Sequence, residues 1–171
     1  QNALGALLLL ADQPQKIISL ALELDVSEGT IQRDLSGLEE AFAGFAIKLQ
    51  RQKGVGVWLE TTELKRRQFL SEIMLNELND YQFFAYLDDK TTIVPDFFLR
   101  LLPKKLLQQC YQGLEQKILP KLKVTSDHQV LQLVILFAIC LVRSKKHPGK
   151  VELKDQLLRY QALVYAFLSA V

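Results

Sequence analysis

Apolar residues recur at helical spacing through most of the chain and alternate at strand spacing in only one stretch. Residues 3–11 are apolar on most sides, and residues 15–24 carry apolar positions three and four apart. A further apolar stripe begins at Ile31, shortly after Ser27, whose hydroxyl can cap a helix. The pattern predicts three helices, with Val26 filling the angle between the second and the third.

The spacing changes between residues 45 and 60, where two alternating apolar and polar runs flank a turn that contains glycine. This pattern predicts a β-hairpin with Gln52, Lys53 and Gly54 at its tip. Helical spacing resumes at residue 63 and continues, interrupted by prolines, towards the last residue. We therefore expect a mainly α protein, with three helices and a β-hairpin over residues 1–62, a helical linker over 63–94, and a truncated, all-helical domain over 95–171.

Composition and charge limit the classes of function. Of the 171 residues, 49% are hydrophobic and 23% are charged, as in ordinary globular proteins, and the net charge is only +2. Residues 1–60 hold five basic and eight acidic residues, a net −3, so residues 61–171 carry the other +5. Two cysteines and two histidines are too few for a disulfide framework or a zinc site. We expect a cytoplasmic protein without a metal or cofactor.

The sequence predicts neither a membrane protein nor an enzyme. The most apolar run, residues 131–142, covers twelve residues, whereas a membrane-spanning helix needs about 20. It is interpreted as a core helix, and no membrane attachment is expected. The chain also has no glycine-rich phosphate loop, no metal-ligand cluster and no nucleophile–base set, so we do not expect an enzyme.

The predicted order of helix, short turn, capped helix and hairpin is that of a winged helix-turn-helix. The polar face of the third helix can enter a DNA major groove, about 12 Å wide, and the hairpin can contact a phosphate. The acidic balance of residues 1–60 favours instead a dimerisation and signal-relay module without DNA contact, because phosphate binding usually needs a basic surface. The candidate DNA-binding residues are Ser27, Thr30, Gln32, Arg33, Ser36, Arg51, Lys53 and Gly54.

Three segments carry a family resemblance: residues 26–35 (VSEGTIQRDL), 49–59 (LQRQKGVGVWL) and 63–70 (ELKRRQFL). They resemble the winged-helix segment of activators of sugar phosphotransferase-system (PTS) operons, of the mannitol, mannose and lichenan types. These activators form the BglG-like group and are distantly similar to the Mga virulence regulators. Residues 131–151 resemble the PTS regulation domain that follows in this family. The resemblance implies that the partners are operator DNA, PTS phosphocarrier proteins and a second copy of the chain.

The resemblance also bears on regulation by phosphorylation. The family usually has a phosphorylatable histidine where this chain has Leu133-Val134-Ile135. His128 and His147 are the remaining candidates. Asp127 would orient the His128 ring but would repel a phosphoryl group, and His147 stands in a turn of lysines that lacks a rigid frame. We therefore expect this domain to relay a signal rather than to accept the phosphoryl group.

Overall fold

The computed structural model describes residues 1–89, 95–121 and 126–146. It is mainly helical with one two-stranded antiparallel sheet, which confirms the predicted class. The chain divides into two compact units, Gln1–Asn76 and Glu77–Val171. His147 and the rest of the predicted helical domain, up to residue 171, lie outside the described residues.

The first unit contains the predicted helices and hairpin in the predicted order. The division between the units falls at the end of a fourth helix, within residues 63–94, which the sequence predicts as a helical linker. The strands pair with Leu49 opposite Leu59 and Arg51 opposite Val57. The elements are α1 (Asn2–Leu10), α2 (Ile17–Leu24), α3 (Glu28–Gly44), β1 (Lys48–Gln52), β2 (Gly56–Glu60) and α4 (Glu63–Glu77).

The turn between α2 and α3 is built from backbone hydrogen bonds. Asp25 adopts a left-handed conformation with φ 53° and ψ 49°, and its N–H donates to the Leu22 carbonyl over 3.4 Å. The Val26 N–H donates to the Ala21 carbonyl over 3.0 Å, which completes a Schellman motif. The expectation that Val26 fills the angle between the helices is wrong, since 40% of its surface is exposed. Val26 closes the turn through its backbone instead.

The core of the first unit is formed where α1 packs against α3 and the sheet. A Cβ atom at Gly5 would lie 3.2 Å from Leu38 Cδ2 and 3.3 Å from Ile73 Cδ1, so α1 approaches its neighbours closely at this position. Apolar and polar residues alternate along the strands, so the hairpin turns its apolar side towards this core. The side chains buried here include Leu4, Leu8, Leu9, Ile31, Leu35, Leu38, Phe42, Ile47, Leu49, Val57, Leu59, Leu70 and Met74.

A buried arginine on α4 joins three elements of this unit. Nη1 of Arg66 donates to the carbonyls of Leu8, Leu9 and Ala11 over 3.0–3.2 Å, and Nη2 donates to the Leu59 carbonyl over 3.1 Å. The last carbonyls of a helix have no partner within the helix. Arg66 therefore caps the end of α1 and ties it to the end of β2.

The segment between α1 and α2 pairs with the hairpin. The Gln15 N–H donates to the Val57 carbonyl over 2.8 Å, and the Val57 N–H donates to the Gln15 carbonyl over 2.9 Å. Gly56 lies directly beside this bridge with φ 132°, and a Cβ atom there would stand 2.4 Å from the Gln15 oxygen. Only glycine fits both the conformation and the space.

The second unit is helical throughout its described part. Ser126 caps the helix that begins at Asp127 by accepting the Gln129 N–H over 3.3 Å. That helix is long and apolar enough to cross a membrane, but its apolar side packs against two neighbouring helices of its unit, as expected of a core helix. Its buried residues include Leu131, Val134, Ile135, Ala138 and Ile139. The elements are α5 (Asp80–Leu87), α6 (Phe97–Arg100), α7 (Lys104–Lys117), a 3-10 turn (Leu119–Lys121) and α8 (Asp127–Lys146).

We expect Arg66→Met to lower the free energy of unfolding of the first unit by about 3 kcal/mol, because buried carbonyls would lose their charged donor. Urea unfolding followed by circular dichroism measures this change. Gln68→Met, at an exposed position of the same helix, serves as the control and should change stability by less than about 0.5 kcal/mol. Equal stability of the two variants would contradict the capping role.

Gly56→Ala should destabilise the same unit by about 2 kcal/mol, because it forces a strained φ and a clash with the Gln15 carbonyl. Gly44→Ala is the matched control, since a Cβ there meets nothing within 4 Å. This control should be neutral or slightly stabilising. Thermal unfolding midpoints of both variants test the prediction, which would be wrong if the two midpoints were equal.

Candidate nucleic-acid interface

The first turn of α3 is fixed by Ser27 and Thr30. The Thr30 N–H donates to Ser27 Oγ over 3.1 Å, and the two hydroxyl oxygens lie 2.9 Å apart. The predicted cap is therefore confirmed. Both side chains were expected at a DNA interface, and in the free protein they bond to each other.

The next two turns of α3 present an exposed polar face. Gln32, Arg33 and Ser36 are all exposed, and Ser36 follows the other two by four and three residues, which places the three on one side of the helix. The hydroxyl of Ser36 donates to the Gln32 carbonyl over 3.2 Å. Across the described part of the chain, the Arg33 side chain forms no hydrogen bond or ion pair. Its guanidinium is available to a ligand.

The character of this face changes towards the end of α3. Glu39 and Glu40 are exposed and follow Ser36 by three and four residues, so they continue the same side of the helix. Carboxylates repel phosphates. Only the middle of α3, around Gln32, Arg33 and Ser36, therefore has a surface suited to a nucleic acid.

The hairpin contributes one arginine that is already engaged. Nη2 of Arg51 lies 2.8 Å from Oε2 of Glu39, and both side chains are partly exposed. This ion pair links β1 to the acidic half of α3. Arg51, which was expected to contact DNA, is thus held at α3 in the free protein.

The tip of the hairpin is basic and exposed. Gly54 has φ 82°, and the Val55 N–H donates to the Gln52 carbonyl over 3.1 Å to close the turn. The side chain of Lys53 forms no ion pair or hydrogen bond with residues that the structure describes. Lys53 and Gly54 thus lie together at the tip, as the sequence predicted.

Lys16 is a component of this region that sequence reasoning missed. It directly precedes α2, and its Nζ donates to the Gly54 carbonyl at the hairpin tip. The two residues are 38 positions apart in the chain. A local pattern cannot reveal such a contact; the only sequence signal is a lone basic residue before α2. Lys16 ties the tip of the hairpin to the start of α2.

The two histidines considered as phosphorylation sites are distant in sequence from α3 and the hairpin. His128 Nδ1 is 2.9 Å from Asp80 Oδ1, and both side chains are partly exposed. The carboxylate that orients the ring therefore comes from α5, and it is Asp80 and not the expected Asp127. His147 lies outside the described residues, so the structure places only one of the two candidates.

Metal-binding side chains are not brought together in the described residues, where no three His, Cys, Asp or Glu side chains form a group that could hold an ion. Neither Cys110 nor Cys140 forms a disulfide, and burial raises the pKa of the Cys110 thiol. A raised pKa keeps a thiol protonated and unreactive. Both cysteines are consistent with the expected packing role.

No family model matches the chain, and comparison with curated proteins and with solved structures finds no significant match. The resemblance of residues 26–35 and 49–59 to activators of PTS operons therefore stays a prediction. The strongest structural candidate for a function is the exposed polar face of α3, in the same compact unit as the basic hairpin tip.

We expect His128 to remain unmodified when the chain is incubated with a PTS phosphocarrier protein and phosphoenolpyruvate, because Asp80 adds negative charge beside the ring, which repels an incoming phosphoryl group. Mass spectrometry under conditions that preserve phosphohistidine measures the label, and the phosphocarrier's own phosphohistidine is the positive control. Stoichiometric label on His128 that disappears in His128→Asn would overturn this expectation.

Proposed function

We propose that this chain is part of a cytoplasmic bacterial transcription regulator that binds double-stranded DNA through its first unit. In this proposal α2 and α3 form a helix-turn-helix, and the hairpin β1–β2 is the wing. The observation that carries the proposal is the exposed face of α3, where Gln32, Arg33 and Ser36 stand together on a capped helix. Amide, guanidinium and hydroxyl groups are those that read base edges in a major groove.

The attachment of the hairpin supports the assignment as a wing. The bridge between Gln15 and Val57 joins the hairpin to the segment before α2, and Lys16 contacts the hairpin tip. The hairpin is thus fixed against the helix-turn-helix. A fixed basic tip at Lys53 and Gly54 suits a phosphate contact, which positions a protein on DNA without reading sequence.

The regulatory part of the proposal follows the sequence resemblance. The chain would be an activator of a PTS operon, and its helical second unit would relay a phosphorylation or sugar-supply signal. PTS phosphocarrier proteins would supply that signal, and a homodimer would double the basic surface offered to DNA.

Two alternatives remain. One is a dimerisation and signal-relay module without DNA contact, which the acidic balance of residues 1–60 favours. The other is a regulator of the Mga virulence type. A chain that binds no DNA even at low salt, yet sediments as a dimer, would support the relay module.

Arg33→Ala should weaken binding to the preferred DNA site by about 1–3 kcal/mol, the usual loss when a base contact is removed. The site is first selected from a random double-stranded library, and affinities are then measured by fluorescence anisotropy. Arg100→Ala removes an exposed arginine from the second unit and is the matched control, expected to have no effect. Unchanged binding by both Arg33→Ala and Gln32→Ala would refute the role of α3.

Glu39→Gln should strengthen DNA binding and steepen its salt dependence by about one unit, because it frees Arg51 to reach a phosphate. Glu40→Gln is the matched control: it removes the same charge from the next residue, which holds no arginine in the described structure. We expect the control to strengthen binding less and to leave the salt slope nearly unchanged. Identical behaviour of the two variants would show that Arg51 gains no phosphate contact.

A further inference from the structure

A second exposed surface lies on α2 and on the turn that follows it. Ile18 and Leu22 are one helical turn apart on α2 and are 55% and 77% exposed, and Val26, which is 40% exposed, lies in the turn that follows the helix. Leu20 and Ala21, on another side of α2, are buried in the unit. We call Ile18, Leu22 and Val26 the α2 apolar patch. Exposed apolar side chains that cluster in this way are typical of protein interaction sites.

The border of the α2 apolar patch is acidic. Glu23, Asp25 and Glu28 are exposed and lie one or two residues from Leu22 or Val26 in the sequence. None of the three forms an ion pair within the ranges that the structure describes. No basic residue occurs between Lys16 and Arg33. The patch therefore combines apolar side chains with carboxylates that are not neutralised.

The acidic border and the apolar side chains together indicate which class of partner would bind the patch. DNA phosphates and anionic lipid headgroups are repelled by a border of carboxylates. A protein surface with apolar side chains flanked by lysine or arginine would bury the patch and neutralise its border. An amphipathic helix presents apolar side chains one turn apart, the same spacing as Ile18 and Leu22.

We propose that the α2 apolar patch docks a partner protein through a basic amphipathic helix. This docking goes beyond the proposed DNA contact and does not depend on it, because Gln32, Arg33 and Ser36 take no part. The patch would be the surface through which the first unit contacts another protein.

The test uses the full chain and two labelled designed peptides of about 18 residues, long enough for a helix. Both have leucine along one face; lysine flanks that face in one peptide and glutamate in the other. Fluorescence anisotropy should detect binding of the lysine peptide and no binding of the glutamate peptide. Leu22→Ser should lower the affinity of the chain for the lysine peptide about tenfold. Tyr81→Ser, which removes an 82% exposed side chain from α5, is the matched control and should leave binding unchanged.

Three results would overturn the proposal. Equal binding of both peptides would refute the role of the acidic border. Unchanged binding by Leu22→Ser, with circular dichroism showing a folded chain, would refute the patch itself. Sedimentation equilibrium that shows a dimer which Leu22→Ser dissociates would assign the patch to contact between two copies of this chain. The DNA-binding result for Arg33→Ala is independent of all three.

Discussion

The first unit depends on a single guanidinium. The last carbonyls of α1 point into the protein, away from water, and would be left without partners if nothing donated to them. Arg66 donates to Leu8, Leu9 and Ala11 with one nitrogen and to Leu59 with the other. Because buried backbone carbonyls must be satisfied, this residue fixes where α1 ends, where β2 ends and how α4 lies against both. The helices that present the candidate site are built on this frame.

The hairpin acquires a defined position only through its contacts with the helices. A two-stranded hairpin has little stability of its own in water. Here the bridge between Gln15 and Val57 holds its second strand, Lys16 contacts its tip, and Arg51 pairs with Glu39 of α3. Two of these contacts come from the segment that precedes α2, and the third comes from α3. The basic tip is therefore held in a defined position relative to α2 and α3.

For the proposed interactions of this unit, the positions of its charged side chains matter more than its net charge. Residues 1–60 carry a net −3, which by itself argues against DNA binding. The acidic side chains are not spread evenly: Glu39 is paired with Arg51, and Glu23, Asp25 and Glu28 border the α2 apolar patch. Arg33 itself, in the middle of α3, forms no ion pair in the described structure. In the two proposals, this one small unit offers one surface to phosphates and another to a basic protein.

The sequence by itself determined the helices of the first unit, the cap at Ser27, the hairpin and the exposed set Gln32, Arg33 and Ser36. These features follow from spacing and hydrogen bonds within about four residues, which the local order of side chains dictates. The cap was predictable because a hydroxyl before an apolar stripe has a backbone N–H within reach. The family resemblance remains a prediction, since no comparison bears on it.

Only the tertiary structure decided which side chains became partners. Arg51 meets Glu39 across 12 residues, His128 meets Asp80 across 48, and Arg66 reaches Leu8 across 58. The same packing left Val26 exposed and placed α4 with the first unit. Periodicity shows which side of an element is apolar, but it does not show which other element covers that side. Packing between elements distant in sequence decides whether an arginine is buried as a cap, held in an ion pair or left available to a ligand.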